Sequence, residues 1–169
     1  HLETSGAELD AARLAPLLKE PRILGLAEVM NYPGVISGSE GILEKLLLFS
    51  GRVLDGHSPS LTGRDLQAYI AAGIRSDHET SQYDEGLEKL RTGMFLMIRE
   101  GTSAKNLETL IPIVTPENAR RCCLVSDDLH PLDIRKRGHL NQTIKRAVGL
   151  GLDPVTALRM TTLNPAEYF

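Results

Sequence analysis

The 169 residues carry 41% apolar and 24% charged side chains, enough for one soluble domain with a buried core. Nineteen Lys and Arg against 22 Asp and Glu leave a net charge of −3, which gives no electrostatic footing for a nucleic-acid or anionic-membrane partner. The longest aliphatic runs, such as Leu46-Leu47-Leu48-Phe49, fall far below the roughly 20 residues that span a bilayer, and no charged-then-apolar leader opens the chain, so a cytoplasmic location is expected.

Short aliphatic runs alternate with longer stretches of helical period, the order of βα units and a parallel sheet. An opening helix is expected over residues 6–19, then a strand over 22–28. Ser37 and Glu40 form a capping-box pattern, after which Ile42, Leu43, Leu46 and Leu47 share one helical face until Gly51. A strand over 51–57 follows, then a helix capped by Thr62 and carrying Leu66, Tyr69 and Ile70, and a strand over 72–78. Residues 85–93 read as a helix before a strand over 94–99. Thr115-Pro116 is expected to open a short helix before the last strand, 122–127, and Asp153-Pro154 another beyond a helix over 140–150. Cys122 and Cys123 are adjacent inside an apolar run, where no disulfide framework can form; they read as small buried hydrophobes. One domain is expected to cover residues 1–169.

The strand ends fall at Glu28, His57, His78, Arg99 and Asp127, separated by 29, 21, 21 and 28 residues. Eight units of that size would need roughly 200 residues or more, in line with the usual (β/α)8 barrel of about 250. Five such units fit either an open α/β sheet or the last five units, strands 4 to 8, of a barrel. The chain opens at His1 without a methionine, and more of the encoded protein is expected upstream.

Four of these strand ends carry a metal-ligand type: Glu28, His57, His78 and Asp127. In parallel α/β folds the carboxyl ends of the strands face the active site, so ligands distant in sequence meet there. Imidazole and carboxylate together suit zinc, manganese or iron, and metals with open positions can generate hydroxide near neutral pH, so the expected chemistry is metal-assisted hydrolysis. Singly each residue has an ordinary alternative: a loop hydrogen bond for either histidine, a salt bridge for Glu28, a turn cap for Asp127 or Asp128. Glu28 ends an apolar run, where an unpaired carboxylate would cost several kcal/mol, so a cation or donor is expected beside it. His139 reads as a surface or helix-start residue, and His130 as near the mouth.

Five segments carry a resemblance: Gly25-Leu26-Ala27-Glu28-Val29-Met30-Asn31, Asp55-Gly56-His57-Ser58-Pro59, Gly73-Ile74-Arg75-Ser76-Asp77-His78-Glu79, Ser126-Asp127-Asp128-Leu129-His130-Pro131 and Asn164-Pro165-Ala166. End to end, the chain resembles the bacterial and archaeal adenine deaminases of the amidohydrolase superfamily. The resemblance implies a partial TIM-type (β/α)8 barrel holding a binuclear centre of manganese or iron, with zinc as an alternative, that hydrolyses adenine to hypoxanthine and ammonia in purine salvage. By motif, Glu28 would bridge the metals, His57 and His78 would be ligands, and Asp127 would be a ligand that also handles the proton of the attacking water. Glu79 and Asp77 are the candidates for proton transfer, or else orient His78. Asn31, Ser58 and His130 are the candidates for reading the purine edge.

The superfamily's barrel opens with a His-x-His pair on its first strand, and no such pair occurs here; His1 would follow the third strand. The chain is therefore expected to be a fragment with an incomplete metal centre and open strand edges, prone to homo-oligomerisation. Two other readings stand beside adenine deamination: a relative that cuts a cyclic amide, and a catalytically inactive fragment.

Overall fold

The computed structural model describes residues 4–169; His1, whose place after a third strand was expected, lies outside the described residues. The fold is α/β, and its strands pair in parallel, with one isolated antiparallel bridge between Glu100 and Lys105 among the described residues. Five strands, β1 (Gly25–Val29), β2 (Val53–Gly56), β3 (Ser76–Asp77), β4 (Phe95–Arg99) and β5 (Cys122–Val125), alternate with helices. Each strand lies within or at the edge of its expected run. The ladders join β1 to β2 and β3 to β4 to β5. Between β2 and β3 the contact continues through the Arg75 amide, which donates to the Leu54 carbonyl at 3.2 Å, and the Gly56 amide, which donates to Ser76 Oγ at 3.1 Å. Gly56 has no side chain at this crossing because a Cβ there would run into the Ser76 backbone.

Two apolar clusters hold the layers together. One gathers Leu46, Phe49, Leu54, Leu66, Tyr69 and Ile74 behind β1 and β2; the other gathers Leu96, Ile98, Leu107, Leu110, Leu124 and Met160 around β4 and β5. The helices that supply them are α3 (Glu40–Leu48), α4 (Gly63–Ala71), α5 (Tyr83–Arg91), α6 (Leu107–Leu110), α8 (Leu140–Gly149) and α9 (Pro154–Thr161). Cys122 and Cys123 are fully buried and free. Among the described residues no helix is long and apolar enough to cross a membrane.

Several helix boundaries differ from expectation, each for a local reason. The opening helix shrinks to α1 (Ala11–Leu14), capped by Asp10, and tightens to a 3-10 turn over Ala15–Lys19, where Pro16 cannot donate to the α ladder. The Ser37–Glu40 box does not form: Ser37 closes a short helix, α2 (Tyr32–Ile36), and Ser39 occupies the N-cap position of α3. Thr115-Pro116 opens a turn, closed by the Asn118 side chain accepting from the Thr115 amide at 2.8 Å, and only a 3-10 turn over Ala119–Arg121 follows. Four helices had no expected counterpart: α2, α6, α7 (Pro131–Arg137) just beyond β5, and α10 at residues 163–168. The chain ends in α10 (Leu163–Tyr168), where Asn164 donates to the Ala119 and Cys122 carbonyls, both at 2.7 Å, and so ties the terminus to β5.

Candidate metal centre

Parallel strands release their last residues on one side of the sheet, and there Glu28, His57, His78, Glu79 and Asp127 converge. Among the described residues, two trios have ligand atoms within 4.8 Å of one another: Glu28 with His57 and His78, and His78 with Glu79 and Asp127. His78 belongs to both. The imidazole rings of His57 and His78 stand edge to face, 5.2 Å apart between centroids and 78° between planes.

Two of the carboxylates reach the centre through unusual backbone. Glu28 has φ 45° and Asp127 φ 56°, in the left-handed region that non-glycine residues seldom occupy. In β1 the register slips between Leu26 and Val29, and the Met30 amide folds back onto the Glu28 carbonyl at 2.7 Å. Glu28 thus lies one residue inside its strand, on a bulge that re-aims its side chain. It is also 46% exposed, so the expectation of a carboxylate stripped of water is corrected: the bulge lifts it into the mouth.

Inside the cluster the nitrogen–oxygen separations are too long for hydrogen bonds. His57 Nδ1 is 3.8 Å from Glu28 Oε2 and 3.7 Å from Glu79 Oε1; His78 Nε2 is 3.8 Å from Glu28 Oε1 and 3.5 Å from Glu79 Oε1. His57 Nδ1 is buried without a hydrogen-bond partner. Ligand atoms about 2.0–2.2 Å from one metal ion lie roughly 3.0–3.5 Å apart. The gaps, at 3.5–3.8 Å, are slightly wider than that, and each trio lies within 4.8 Å, so closing on an ion would draw the side chains inward. Oxygen and imidazole donors together fit a borderline divalent ion, and the residues present fit a metal.

Arg99, at the end of β4, is the functional neighbour that sequence reasoning passed over. Its guanidinium pairs with both Glu79, at 2.9 Å through Nη2, and Asp127. Burial alone would lower the guanidinium pKa, but the bonds to Glu79 and Asp127 reverse that and hold the group charged. A signal existed: Arg99 is the fifth strand end in the same register as the four singled out.

The other expected site residues are turned elsewhere. Asp77 is fully buried, one residue before His78, and points away from the cluster. Its Oδ1 accepts from the Ser58 amide at 2.7 Å and the Ser58 hydroxyl at 3.1 Å; its Oδ2 accepts from the Thr80 amide at 2.8 Å, the Thr80 hydroxyl at 2.6 Å and the Lys89 ammonium at 3.0 Å. Burial would raise this carboxyl, but Lys89 and the donors from Thr80 and Ser58 outweigh it and hold the pKa below the usual carboxylate value. Ser58, also fully buried, spends its hydroxyl on that bond. The Asn31 carboxamide caps α2 by accepting from the Gly34 amide at 3.0 Å. His130 is exposed at the N-cap of α7, its Nδ1 accepting from the Leu132 amide at 3.2 Å, and His139 stands at the start of α8.

Beneath the cluster a buried tyrosine joins two strand ends. Tyr69, on α4, donates to the Val29 carbonyl at 2.7 Å and accepts from the His57 amide at 3.0 Å. It therefore fixes the residue after Glu28 against His57, and burial pushes its phenol pKa well up.

No family model matches the chain. Its whole length is homologous to proteins named adenine deaminase: it is 52% identical over 171 residues to one from Desulfatibacillum aliphaticivorans, and 50% identical over 169 residues to others from Dehalococcoides mccartyi and Cereibacter sphaeroides. In each case all of this chain is covered, and it spans about 30% of the relative's length.

Proposed function

We propose that this chain is the metal-holding, carboxyl-side portion of a hydrolase that deaminates adenine to hypoxanthine and ammonia in purine salvage. In this reading residues 1–169 form one partial amidohydrolase domain, an incomplete TIM-type (β/α)8 barrel built from strands 4 to 8, in a cytoplasmic protein. The single observation that carries the proposal is the meeting of Glu28, His57, His78, Glu79 and Asp127 at the carboxyl ends of successive parallel strands, with His57 Nδ1 left unbonded. The homology to adenine deaminases supplies the substrate.

Glu28, His57, His78 and Asp127 would hold one or two divalent ions, manganese or iron by preference and zinc as an alternative. A divalent ion held there would supply a hydrolytic water acidic enough to react near neutral pH. The chain's own residues do the rest. Asp127 would take up the two protons of the attacking water in turn. Glu79, whose Oε1 lies 3.5 Å from His78 and 3.7 Å from His57, is the carboxylate best placed to relay those two protons, one to the ring nitrogen and the other to the departing amine. Oxygen replaces the C6 amino group, and one water is consumed for each ammonia released. Arg99 orients Glu79 and Asp127. His130, exposed three residues after Asp127, reads the purine edge, whereas Asn31 and Ser58 act through the loops they fix. Asp77 is a positioning residue, since its carboxylate oxygens are already engaged by five donors.

Ammonia release from adenine, measured against a panel of cyclic amides with the protein supplied with Mn2+ or Fe2+, tests the proposal. Turnover of adenine and its loss in Glu28→Gln and Asp127→Asn support it. Activity confined to cyclic amides would replace the substrate, and metal uptake that ignores both substitutions would remove the site.

A further inference from the structure

Lys89 lies on α5 with no side-chain exposure. Its ammonium meets four oxygens: the Ser58 carbonyl at 2.7 Å, Asp77 Oδ2 at 3.0 Å, Thr80 Oγ1 at 3.1 Å and Glu85 Oε1 at 2.6 Å. Glu85, one helical turn earlier and almost fully buried, also accepts from the Ser60 amide at 2.9 Å and the Ser81 amide at 3.4 Å. Asp77 grips Ser58 with one oxygen and Thr80 with the other. Every loop group held by this trio therefore lies within three residues of His57 or of His78.

Burying three charged groups is a weak route to stability, because well-packed apolar residues of similar volume are commonly as good or better. What the charged trio offers instead is directional: it holds two loops with oxygens and donors at fixed distances, and those loops carry the two imidazoles of the cluster. A helix face with Glu85 and Lys89 four residues apart would ordinarily be a solvated ion pair. Here it faces inward against both loops.

We propose that Lys89, together with Asp77 and Glu85, is a positioning clamp that fixes the His57 and His78 loops relative to each other and thereby sets metal affinity. The proposal rests on the metal-centre reading above. It assigns Lys89 no contact with metal or substrate.

The test is the double variant Glu85→Gln/Lys89→Met, which removes one buried charge of each sign and leaves the Asp77 bonds to Ser58 and Thr80 intact. Three quantities are compared with the unaltered protein: the urea midpoint without metal, amide hydrogen exchange across residues 57–63 and 78–82, and Mn2+ affinity by paramagnetic resonance of the free ion. The expected result is a lowered midpoint, since Lys89→Met leaves the Asp77 carboxylate buried without its cation, with exchange at least tenfold faster in both loops than in the rest of the chain and Mn2+ binding about 10- to 100-fold weaker, the range typical of lost outer contacts to metal ligands. Unchanged exchange in both loops, or exchange accelerated to the same degree over the whole chain, overturns the clamp. If the unaltered protein takes up no Mn2+, the metal reading falls while the exchange comparison alone still decides the clamp. Glu85→Gln by itself keeps the Lys89–Asp77 pair and is the milder companion: faster exchange at Ser60 and Ser81 is expected, and its absence counts against the proposal.

Discussion

Tyr69→Phe isolates one hydroxyl in the support beneath the cluster. The ring is fully buried and phenylalanine keeps its shape, so packing around Leu66 and Ile74 is preserved. What goes is the donor to the Val29 carbonyl at 2.7 Å and the acceptor for the His57 amide at 3.0 Å. Each backbone group left buried without a partner costs about 1–3 kcal/mol. The His57 side is only partly buried and regains some solvation, so the net loss should be about 2–4 kcal/mol. Urea unfolding at pH 7 reads this as a lower midpoint with an unchanged slope, because the surface exposed on unfolding is the same. The same variant should bind Mn2+ roughly tenfold more weakly, since the end of β1 and His57 lose their shared anchor. A stability loss under about 0.5 kcal/mol would mean that both backbone groups find other partners, and the account of Tyr69 as the joint between these strand ends would be wrong.

Further outcomes follow from the same contacts. The Asp77 carboxyl is held below its ordinary value, so the stability it contributes is present at neutral pH and is lost as pH falls below about 4 toward its folded pKa; a carboxyl NMR titration should place its midpoint below that of exposed aspartates, and a midpoint above them would contradict the network. Burial pushes the Cys122 and Cys123 thiols up to about 12, so the folded state holds their protons more tightly and stability should fall as pH rises from about 9 toward that value. A disulfide reagent at pH 8 should consume both thiols only at the rate of unfolding, and prompt reaction in native buffer would refute their burial. The ladders give β1 and β5 one strand partner each, so sedimentation at micromolar concentration should show self-association; a monomer throughout would show these edges are covered another way.

Most strands were legible because they are apolar runs closed by glycine or a polar turn, whereas β3 is only the polar pair Ser76-Asp77 behind Ile74; the common register displayed Glu28, His57, His78 and Asp127 as a set. The short helices were not. α2 and α6 have 5 and 4 residues, too few for a 3.6-residue period to declare itself, and α7 starts behind a histidine cap, a residue outside the usual Ser, Thr, Asp and Asn signal. Pro16, in plain view, breaks the opening helix more fully than the apolar pattern around it suggests. The inward charges were the least legible. Glu85 and Lys89 sit at the spacing of a surface ion pair, and only the packing of α5 against the loops after β2 and β3 reveals that they face inward. Arg99 shares a strand-end register with the cluster, yet only distances show it bridging Glu79 and Asp127.

The left-handed backbone at Glu28 and Asp127 sets folding and chemistry against each other at two positions. Glycine would relax each by about 1 kcal/mol or more, since it alone enters that region without steric cost. A library screened for thermal tolerance should therefore enrich glycine at these sites, while a screen for turnover should discard it. Robustness and reactivity select opposite residues there, and the divergence would identify both carboxylates with no substrate in hand.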